Sequence, residues 1–220
     1  MQTLSFTQKG VRTEDNRDVI ITIENNGVYL CAVLDGSSSR FGSGDYARAL
    51  SENIKKHFTN LSSEELLPVN IKKSINEVVA RAHSCLRIIY PSASLSLVIL
   101  ITLIDKVALI FSLGDCAVGR VCSGGLIDWL TVPNRIGRLP ISKLNGKPNG
   151  ENGVIRTLKA RRFEQLDWFV RPFHSSTVYV LASDGYWERN ISINKQAKSI
   201  DDIELESFDD DLSVCVLKKD

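Results

Sequence analysis

Histidine is scarce in this sequence. Only three of the 220 residues are histidines, His57, His83 and His174, and no two of them stand at the spacing of metal ligands. A zinc site composed mainly of imidazoles needs several histidines close together. The sequence therefore argues against a metal centre of that kind.

An excess of charge of either sign is also missing. The chain carries 27 basic and 26 acidic residues, which leaves a formal net charge of +1. Nucleic acids and anionic membranes are bound by surfaces with a clear cationic excess. We therefore expect neither nucleic acid nor membrane among the partners of this protein.

The cysteines show no disulfide or zinc pattern. Their number is odd, there is no Cys-x-x-Cys pair, and most lie in apolar runs, as is typical of reduced core residues in an intracellular protein. The first ten residues contain no apolar run of the kind found in a secretory signal, so we expect a cytoplasmic protein. The five cysteines are Cys31, Cys85, Cys116, Cys122 and Cys215.

The longest apolar stretch, Leu95 to Leu113, is interrupted in its middle by Asp105 and Lys106. A membrane-spanning helix needs about 20 uninterrupted apolar residues. The stretch therefore predicts two strands joined by a polar turn at Asp105-Lys106.

Short apolar runs separated by turn residues make up much of the rest. Asn25-Asn26-Gly27 between two such runs is a strong hairpin signal, and apolar residues at helical spacing predict helices from about Asp45 to His57 and from Val69 to Ile89. The runs that predict strands are Leu4–Thr7, Val19–Glu24, Val28–Leu34, Ser94–Ile104, Val107–Leu113, Ala117–Cys122, Leu126–Thr131, Thr177–Ala182 and Leu212–Leu217.

The order of these elements predicts one domain, residues 1–220, with two packed antiparallel sheets and helices outside them. The two helices are consecutive and do not alternate with strands, which favours helices that cover a sheet. The four closely spaced runs from Ser94 to Thr131 predict an antiparallel meander. The Gly/Pro-rich segment Pro133–Gly153 predicts a long surface loop.

The pattern with the most chemical content is an apolar strand that ends in aspartate and glycine. It occurs at Asp35-Gly36 and again at Asp184-Gly185, and Gly114-Asp115 ends a third apolar run. A further acidic cluster, Asp209 to Asp211, precedes the last predicted strand. Asp-Gly is also ordinary turn chemistry, but strand ends from both sheets of a sandwich can converge, which would gather these carboxylates in one cleft.

Several carboxylates in one cleft repel each other unless cations are bound there. Magnesium and manganese prefer oxygen ligands and keep some of their waters when a few carboxylates hold them. Two such ions about 4 Å apart provide a hydroxide near neutral pH and stabilise an in-line phosphoryl displacement. The acidic strand ends thus favour metal-assisted phosphoryl chemistry.

Six short motifs resemble, in order, those of the type 2C protein phosphatases, a metal-dependent serine/threonine phosphatase family, and especially its short bacterial members. Each motif alone is weakly specific, whereas their order and spacing are fairly specific. The motifs are Gly10-Val11-Arg12, Asn16-Arg17-Asp18, Ala32-Val33-Leu34-Asp35-Gly36, Leu113-Gly114-Asp115, Leu181-Ala182-Ser183-Asp184-Gly185-Tyr186-Trp187 and Asp210-Asp211-Leu212-Ser213.

The resemblance implies an α+β fold, a four-layer α-β-β-α sandwich, and hydrolysis of phosphoserine or phosphothreonine in a protein substrate. Two manganese or magnesium ions would lie in the edge cleft, and water bridging them would attack phosphorus directly. Arg12 would bind the substrate phosphate, a role that suits the planar guanidinium group. We expect the protein to be a monomer.

The same resemblance assigns the metal ligands. Asp35 would bridge both ions, together with the backbone carbonyl of Gly36, and Asp184 and Asp210 would complete the second site. Asp115 matches the position that helps to hold a third, weaker ion in some members. Whether Asp210 or its neighbour Asp211 is the ligand stays open.

The early acidic motif departs from the family pattern. If Arg12 sets the alignment with the family motif, the acidic pair falls on Asn16 and Arg17, which would be poor substitutes for a metal ligand and its neighbour. If the Asn-x-Asp spacing sets the alignment, the ligand is Asp18 after a one-residue insertion.

A second departure is that a histidine present in many relatives is Ser37 here. A catalytically inactive pseudophosphatase that acts as a binding module is therefore the alternative, and an unrelated sandwich enzyme is a third.

A basic stretch follows the predicted surface loop. A solvated face is the ordinary role of such residues, and recognition of a phosphorylated partner is the sharper hypothesis. The residues are Arg156, Lys159, Arg161, Arg162 and Arg171. We also expect Trp168 and Trp187 to pack, Trp187 behind the Asp184 loop.

Overall fold

Residues 1–103, 107–122, 125–131, 156–174, 176–193 and 209–218 are described by the computed structural model of this protein. The predicted turn at Asp105-Lys106 and the predicted loop Pro133–Gly153 lie outside these residues.

The described residues form three helices and eleven strands, and the predicted apolar runs all fall on strands. The helices are α1 (Ser43–Thr59), α2 (Ile71–Leu86) and α3 (Asp184–Ile193). The strands are β1 (Gln2–Gln8), β2 (Asp18–Asn25), β3 (Val28–Gly36), β4 (Ser94–Leu103), β5 (Val107–Leu113), β6 (Ala117–Val121), β7 (Ile127–Trp129), β8 (Leu158–Lys159), β9 (Asp167–Pro172), β10 (Val178–Ala182) and β11 (Leu212–Lys218).

The strands form two antiparallel sheets. The β1 sheet has the order β1-β11-β10-β6-β7, and the β2 sheet has the order β2-β3-β4-β5-β9, with β8 paired to β4. The predicted hairpin joins β2 and β3, and its turn residues Asn26 and Gly27 have φ angles of 49° and 78°. Two successive positive φ angles are what a type I′ turn requires, which explains the Asn-Gly pair.

Three apolar layers hold the sheets and helices together. Residues of α1 and α2 such as Leu50 and Val79 pack on the outer face of the β2 sheet. Cys31 of β3 and Cys215 of β11 belong to the layer between the sheets, where their Sγ atoms lie 3.1 Å apart. Trp187 of α3 packs on the outer face of the β1 sheet. The predicted α+β, four-layer α-β-β-α sandwich is confirmed.

The predicted meander from Ser94 to Thr131 is wrong in one respect. β4 and β5 pair in the β2 sheet, whereas β6 and β7 belong to the β1 sheet. The chain changes sheets at Gly114-Asp115, where Gly114 has a φ angle of +98°. That backbone conformation is strained for residues with a side chain, so the glycine allows the crossing, and the crossing places Asp115 at the end of the sandwich.

Two further expectations concern aromatic residues and membranes. Trp187 is buried as predicted, but Trp168 on the edge strand β9 is 41% exposed, and its ring is covered by the ammonium group of Lys72 at 3.8 Å.

Among the helices that the structure describes, none is both long and apolar enough to cross a membrane.

Candidate metal centre

Asp35 is placed by the side-chain alternation of β3. Cys31 and Val33 pack between the two sheets, whereas the residues that alternate with them pack against the helices. Because side chains alternate with a period of two along a strand, Asp35 continues the series that faces the other sheet. The carboxylate therefore stands at the end of the inter-sheet core.

Asp18 lies directly opposite Asp35 in the register of β2 and β3. Opposite residues of an antiparallel pair project to the same face, so both carboxylates meet at the same end of the core. Asp18 is only 6% exposed, and within the described structure neither of its carboxylate oxygens has a hydrogen-bond partner. Burying a carboxylate without a hydrogen-bond partner costs free energy. Asp18 also lies opposite a second acidic residue.

The pairing of Asp18 with Asp35 favours the motif alignment in which Asp18 is the metal ligand over the alignment on Asn16 and Arg17. The Asn16 side-chain amide donates to Thr7 Oγ1 at 2.8 Å, and its Oδ1 accepts from the Asp18 amide at 3.0 Å. The Arg17 Nε lies 3.3 Å from Asp15 Oδ1. The side chains of Asn16 and Arg17 thus already have structural partners, which are Thr7 and the Asp18 backbone for Asn16 and Asp15 for Arg17.

Asp184 follows β10 and is the first residue of α3. The glycine after it is required by a close approach: a Cβ on Gly185 would collide with the carbonyl oxygen of Asp211. Gly36 is similar, since a Cβ there would lie 2.7 Å from the carbonyl oxygen of Ser43. Neither glycine has a positive φ, so turn chemistry does not account for either Asp-Gly pair.

Asp115 and Trp187 connect the acidic cluster to the surrounding fold. Asp115 is 3% exposed, and its Oδ1 accepts a 2.6 Å hydrogen bond from the Ser96 hydroxyl. The Trp187 indole N–H donates to the Asp115 backbone oxygen at 2.7 Å. These contacts fix Asp115 between β4 and α3.

Asp210 and Asp211 have different environments. Asp211 is buried and accepts three hydrogen bonds, from the Gly10 amide at 2.9 Å, the Thr13 hydroxyl at 2.6 Å and the Arg17 amide at 2.8 Å. Asp210 is exposed and lines the same cavity as Asp35 and Asp184. The structure therefore places Asp210 on the cavity wall and Asp211 in a structural position.

The electrostatics show that these carboxylates are close enough to interact. Desolvation raises the pKa of Asp35 well above its ordinary value, and the carboxylates of Asp18, Asp184, Asp115 and Asp210 raise it further. Burial also raises the pKa of Asp18 to about 7, although the hydroxyls of Ser183 and Ser213, which lie near the carboxylate without the geometry of a hydrogen bond, offset part of that rise. The protein fold alone thus opposes ionisation at this end of the sandwich.

The donor set fits hard divalent cations better than any other metal. Within the described residues, no three His, Cys, Asp or Glu side chains are already arranged around one point as a closed metal cage. Magnesium and manganese do not need such a cage, because one or two carboxylates plus waters suffice. The unpartnered oxygens of Asp18 beside Asp35 supply what such an ion requires. The residues present therefore fit one or two hard cations.

A cavity of about 830 Å³ opens at this end of the sandwich. Its wall includes Asp35, Asp115, Asp184 and Asp210 of the predicted ligands, and several serine hydroxyls from the Ser37–Ser39 loop and the start of β4. A cavity of this volume can hold a small ligand or part of a peptide.

Arg12 stands apart from the other predicted site residues. Its side chain is 77% exposed and lies 3.4 Å from Asp209, and it does not line the cavity. It is nevertheless tied to the site, because the Arg12 amide donates to the Asp209 backbone oxygen at 3.2 Å and Asp210 follows directly.

The sequence interpretation missed two parts of the site. One is the structural role of Asp211 with Gly10 and Thr13, which depends on contacts between residues about 200 positions apart. The other is a set of basic side chains on the cavity wall, Arg40, Lys159 and Arg161. The basic stretch was visible in the sequence, but its position relative to the acidic residues was not.

Comparisons by sequence identify no relative: no protein-family model matches the chain, and no curated protein matches it. Comparison by structure does identify the fold. The sandwich has the fold of bacterial serine/threonine phosphatases, which is the fold that the motifs predict.

Three solved structures illustrate the likeness. The serine/threonine phosphatase of S. agalactiae superimposes with a TM-score of 0.81 at 16% identity, over 100% of this chain and 99% of that one. PstP/Ppp of Mycobacterium tuberculosis gives 0.76 at 15% identity, over 100% and 98% of the two chains. A PstP catalytic domain in complex with two manganese ions gives 0.71 at 14% identity, over 98% and 96%.

Proposed function

We propose that this protein is a metal-dependent protein phosphatase that hydrolyses phosphoserine and phosphothreonine. The observation that carries the proposal is the pairing of Asp18 with Asp35 at the end of the inter-sheet core, with the buried Asp18 oxygens unpartnered. A protein that kept only the fold would have no reason to retain two opposed, desolvated carboxylates there. The shared fold with serine/threonine phosphatases supports the same assignment.

The proposed ligands of the metal ions are Asp18, Asp35, the backbone carbonyl of Gly36, Asp184 and Asp210. Asp115, held by Ser96, is the proposed ligand of a third, weaker ion. We propose manganese or magnesium, and the manganese-bound PstP domain makes manganese the first metal to test. When bound, such ions lower the pKa of water towards neutrality and offset charge on a phosphoryl group.

Arg12 is proposed to bind the phosphate. Its guanidinium group is exposed and pairs with the exposed Asp209, and exposed ion pairs of this kind contribute little free energy. The phosphate can therefore replace Asp209 at small cost. A phosphate carries two negative charges and can accept two hydrogen bonds from the guanidinium group, so it would bind Arg12 more strongly than Asp209 does.

The remaining assignments complete the proposal. The whole chain forms one catalytic domain, which the coverage of nearly the full length of the S. agalactiae phosphatase supports. The protein acts as a monomer on phosphorylated proteins in the cytoplasm. All five cysteines are free thiols, which is the usual state in a reducing compartment.

The test is the manganese dependence of phosphopeptide hydrolysis. We expect Asp35→Asn and Asp184→Asn to lower kcat by at least about 100-fold, because each removes a charged oxygen ligand. The matched control is Asp128→Asn, which alters an exposed aspartate paired with Arg120 at 3.5 Å and should leave kcat within about twofold. Full activity in excess chelator would refute the proposal.

The alternative function makes a distinct prediction in the same assay. A pseudophosphatase shows no turnover with any divalent ion but still binds phosphopeptide. The exposed position of Arg12 outside the cavity is the observation that favours this alternative. Measurable metal-dependent turnover by the purified protein would exclude it.

A further inference from the structure

The cavity at the acidic end of the sandwich is lined by residues of both charges. The acidic ones, called the acidic wall below, are Asp35, Asp115, Asp184, Glu188 and Asp210, and the basic ones, called the basic wall, are Arg40, Lys159 and Arg161. Three cations beside a group of carboxylates would form ion pairs if they were in reach. Instead, the two sets of charges face the same volume.

Lys159 and Arg161 are held in position by the fold. Leu158 and Ala160 are fully buried, whereas the two basic residues that alternate with them are exposed. Lys159 lies opposite Ser94 in the register of β4 and β8. The backbone of this turn is fixed by the His83 Nε2 contact to the Lys159 carbonyl at 3.0 Å and by the Ala160 amide, which donates to the Ala93 carbonyl at 2.9 Å.

Arg40 approaches the cavity from the loop between β3 and α1. The Ser43 hydroxyl donates to the Arg40 carbonyl at 2.9 Å, and the Ser94 amide donates to Ser43 Oγ at 3.2 Å. The loop is therefore anchored to the start of β4, the same strand that pairs with Lys159. Basic residues from two separate segments converge on one side of the cavity.

These cations have no anionic partner in the described parts of the chain. Within the described residues, the side chains of Arg40, Lys159 and Arg161 form no ion pair or side-chain hydrogen bond, whereas Arg156 in the same basic stretch pairs with Asp167 at 2.6 Å and with Glu164 at 3.5 Å. Arg156 thus behaves as an ordinary surface residue. The three residues of the cavity wall keep their charges available for a ligand.

The spacing between the two walls corresponds to a few residues of an extended peptide. Asp35 lies opposite Ser96 on one side of β4, and Lys159 lies opposite Ser94 on the other. Two strand spacings across the sheet and a two-residue rise along it separate the Cα atoms of Asp35 and Lys159 by roughly 12 Å. An extended peptide advances about 3.3 Å per residue, so Lys159 can reach a side chain within about three positions of one held at Asp35.

We propose that the basic wall formed by Arg40, Lys159 and Arg161 selects phosphopeptides that carry an anionic residue within about three positions of the phosphorylated residue. The inference rests on the proposed function, since the phosphate is taken to lie at the acidic end. The acidic wall repels a continuous polyanion such as a nucleic acid. The cavity accepts a peptide whose single phosphate is neutralised by metal ions and whose second negative charge lies farther along the peptide, at the basic wall.

The test measures the affinity of labelled peptides by fluorescence anisotropy in the presence of manganese. Each peptide carries phosphonomethylalanine in place of phosphoserine, because its P–C bond is not hydrolysed, and its flanking residues are glutamate, a second phosphonomethylalanine or glutamine. We expect wild type to bind the glutamate-flanked peptide about fivefold more tightly than the glutamine-flanked one. The peptide with two phosphonates shows whether a phosphate-like group is preferred to a carboxylate in the flank.

The variants compare two charges in the wall with one outside it. In the double variant Lys159→Ala, Arg161→Ala, the affinity ratio between glutamate- and glutamine-flanked peptides should fall to within about twofold of one. Arg162→Ala removes an exposed positive charge from the same turn, but Arg162 does not line the cavity. This control should keep the wild-type ratio.

Three results would overturn the inference. They are a wild-type ratio near one, an unchanged ratio in the double variant, and displacement of the labelled peptide by a single-stranded oligonucleotide as effectively as by unlabelled peptide. These peptides are not hydrolysed, so the affinity ratio is measured independently of catalysis. If wild type shows the expected affinity ratio but hydrolyses no phosphopeptide, only the proposed function is rejected. Metal-dependent hydrolysis with no flank preference rejects this inference alone.

Discussion

Asp18 is held beside Asp35 by the register of β2 and β3, and its buried oxygens have no hydrogen-bond partner among the described residues. An asparagine has the same shape without the charge. The stability of the metal-free protein and the proposed metal binding therefore make opposite demands on this position.

We predict that Asp18→Asn stabilises the metal-free protein above neutral pH, on the order of 2 kcal/mol, and lowers manganese-dependent activity. The stabilisation arises because the variant removes a carboxylate whose pKa is raised to about 7 by burial. Denaturant unfolding in chelator at alkaline pH, with wild type in parallel, measures the first effect. Equal unfolding midpoints for the two proteins would contradict the prediction.

Asp211 is the residue that joins the β1–β2 loop to the start of β11. Three donors converge on its carboxylate, two of them backbone amides. Hydrogen bonds to a charged acceptor contribute about 1.5–3 kcal/mol each, and orphaned buried donors are costly. This carboxylate thus has a larger structural role than its motif suggests.

We therefore predict that Asp211→Ala destabilises the protein by about 3–5 kcal/mol in urea unfolding. Asp209→Ala is the matched control, because Asp209 lies two positions away, is exposed and pairs with exposed Arg12 at 3.4 Å. Its effect should be below about 1 kcal/mol. Similar losses in the two variants would show that the Asp211 contacts carry no special weight.

At the scale of elements, Gly185 of α3 lies against the backbone of Asp211, just before β11. We predict that Gly185→Ala destabilises the protein by about 1–3 kcal/mol, because the added methyl group collides with the Asp211 carbonyl. The displacement also moves Asp184 relative to Asp210, so manganese affinity should fall as well. Isothermal titration with manganese checks the second effect, and unchanged manganese affinity would contradict it.

The strands that could be predicted from sequence are those whose apolar pattern is local. The apolar residues of β2 and β3 and the Asn-Gly turn between them identify a hairpin, and the structure pairs both strands in the β2 sheet. β8 is only two residues long, and β9 is an edge strand with mostly exposed residues. β8 is too short to show a pattern, and the apolar run of β9 has only three residues, Trp168 to Val170, so both strands were missed.

The site was predictable only as far as strand ends could indicate it. Asp35 and Asp184 stood out because an apolar strand preceded each of them. The choice between Asn16 and Asp18 required the β2–β3 register, and the choice between Asp210 and Asp211 required contacts with Gly10. Those contacts join distant parts of the chain, which periodicity cannot show.

For the whole molecule, the acidic cluster couples stability to pH. The pKa values of Asp18 and Asp35 are raised in the folded state, chiefly by burial. In the unfolded chain these groups lose their protons near pH 4, so the unfolded state binds fewer protons than the folded state from there to about pH 7. The contribution of these two groups to the stability of the metal-free protein is therefore greatest at acidic pH and falls as the pH rises through this window.

We predict that the Tm measured in chelator falls between about pH 5 and pH 8, and that saturating manganese reverses the trend. Metal ions bind the deprotonated carboxylates and stabilise the folded state by mass action, so their effect grows with pH. Differential scanning fluorimetry with and without manganese provides the measurement. A Tm that rises with pH in chelator would contradict the assignment of the raised pKa values.

The hydrogen bonds of Asp211 also set the order in which the cleft can form during synthesis. They join residues 194 to 201 positions apart in the chain. A ribosome therefore makes Asp18, Asp35 and Asp115 well before β11, whose docking brings Asp210 and the β1–β2 loop together. The β2–β3 hairpin can pair Asp18 with Asp35 early, whereas the complete cleft can form only after β11 has been made.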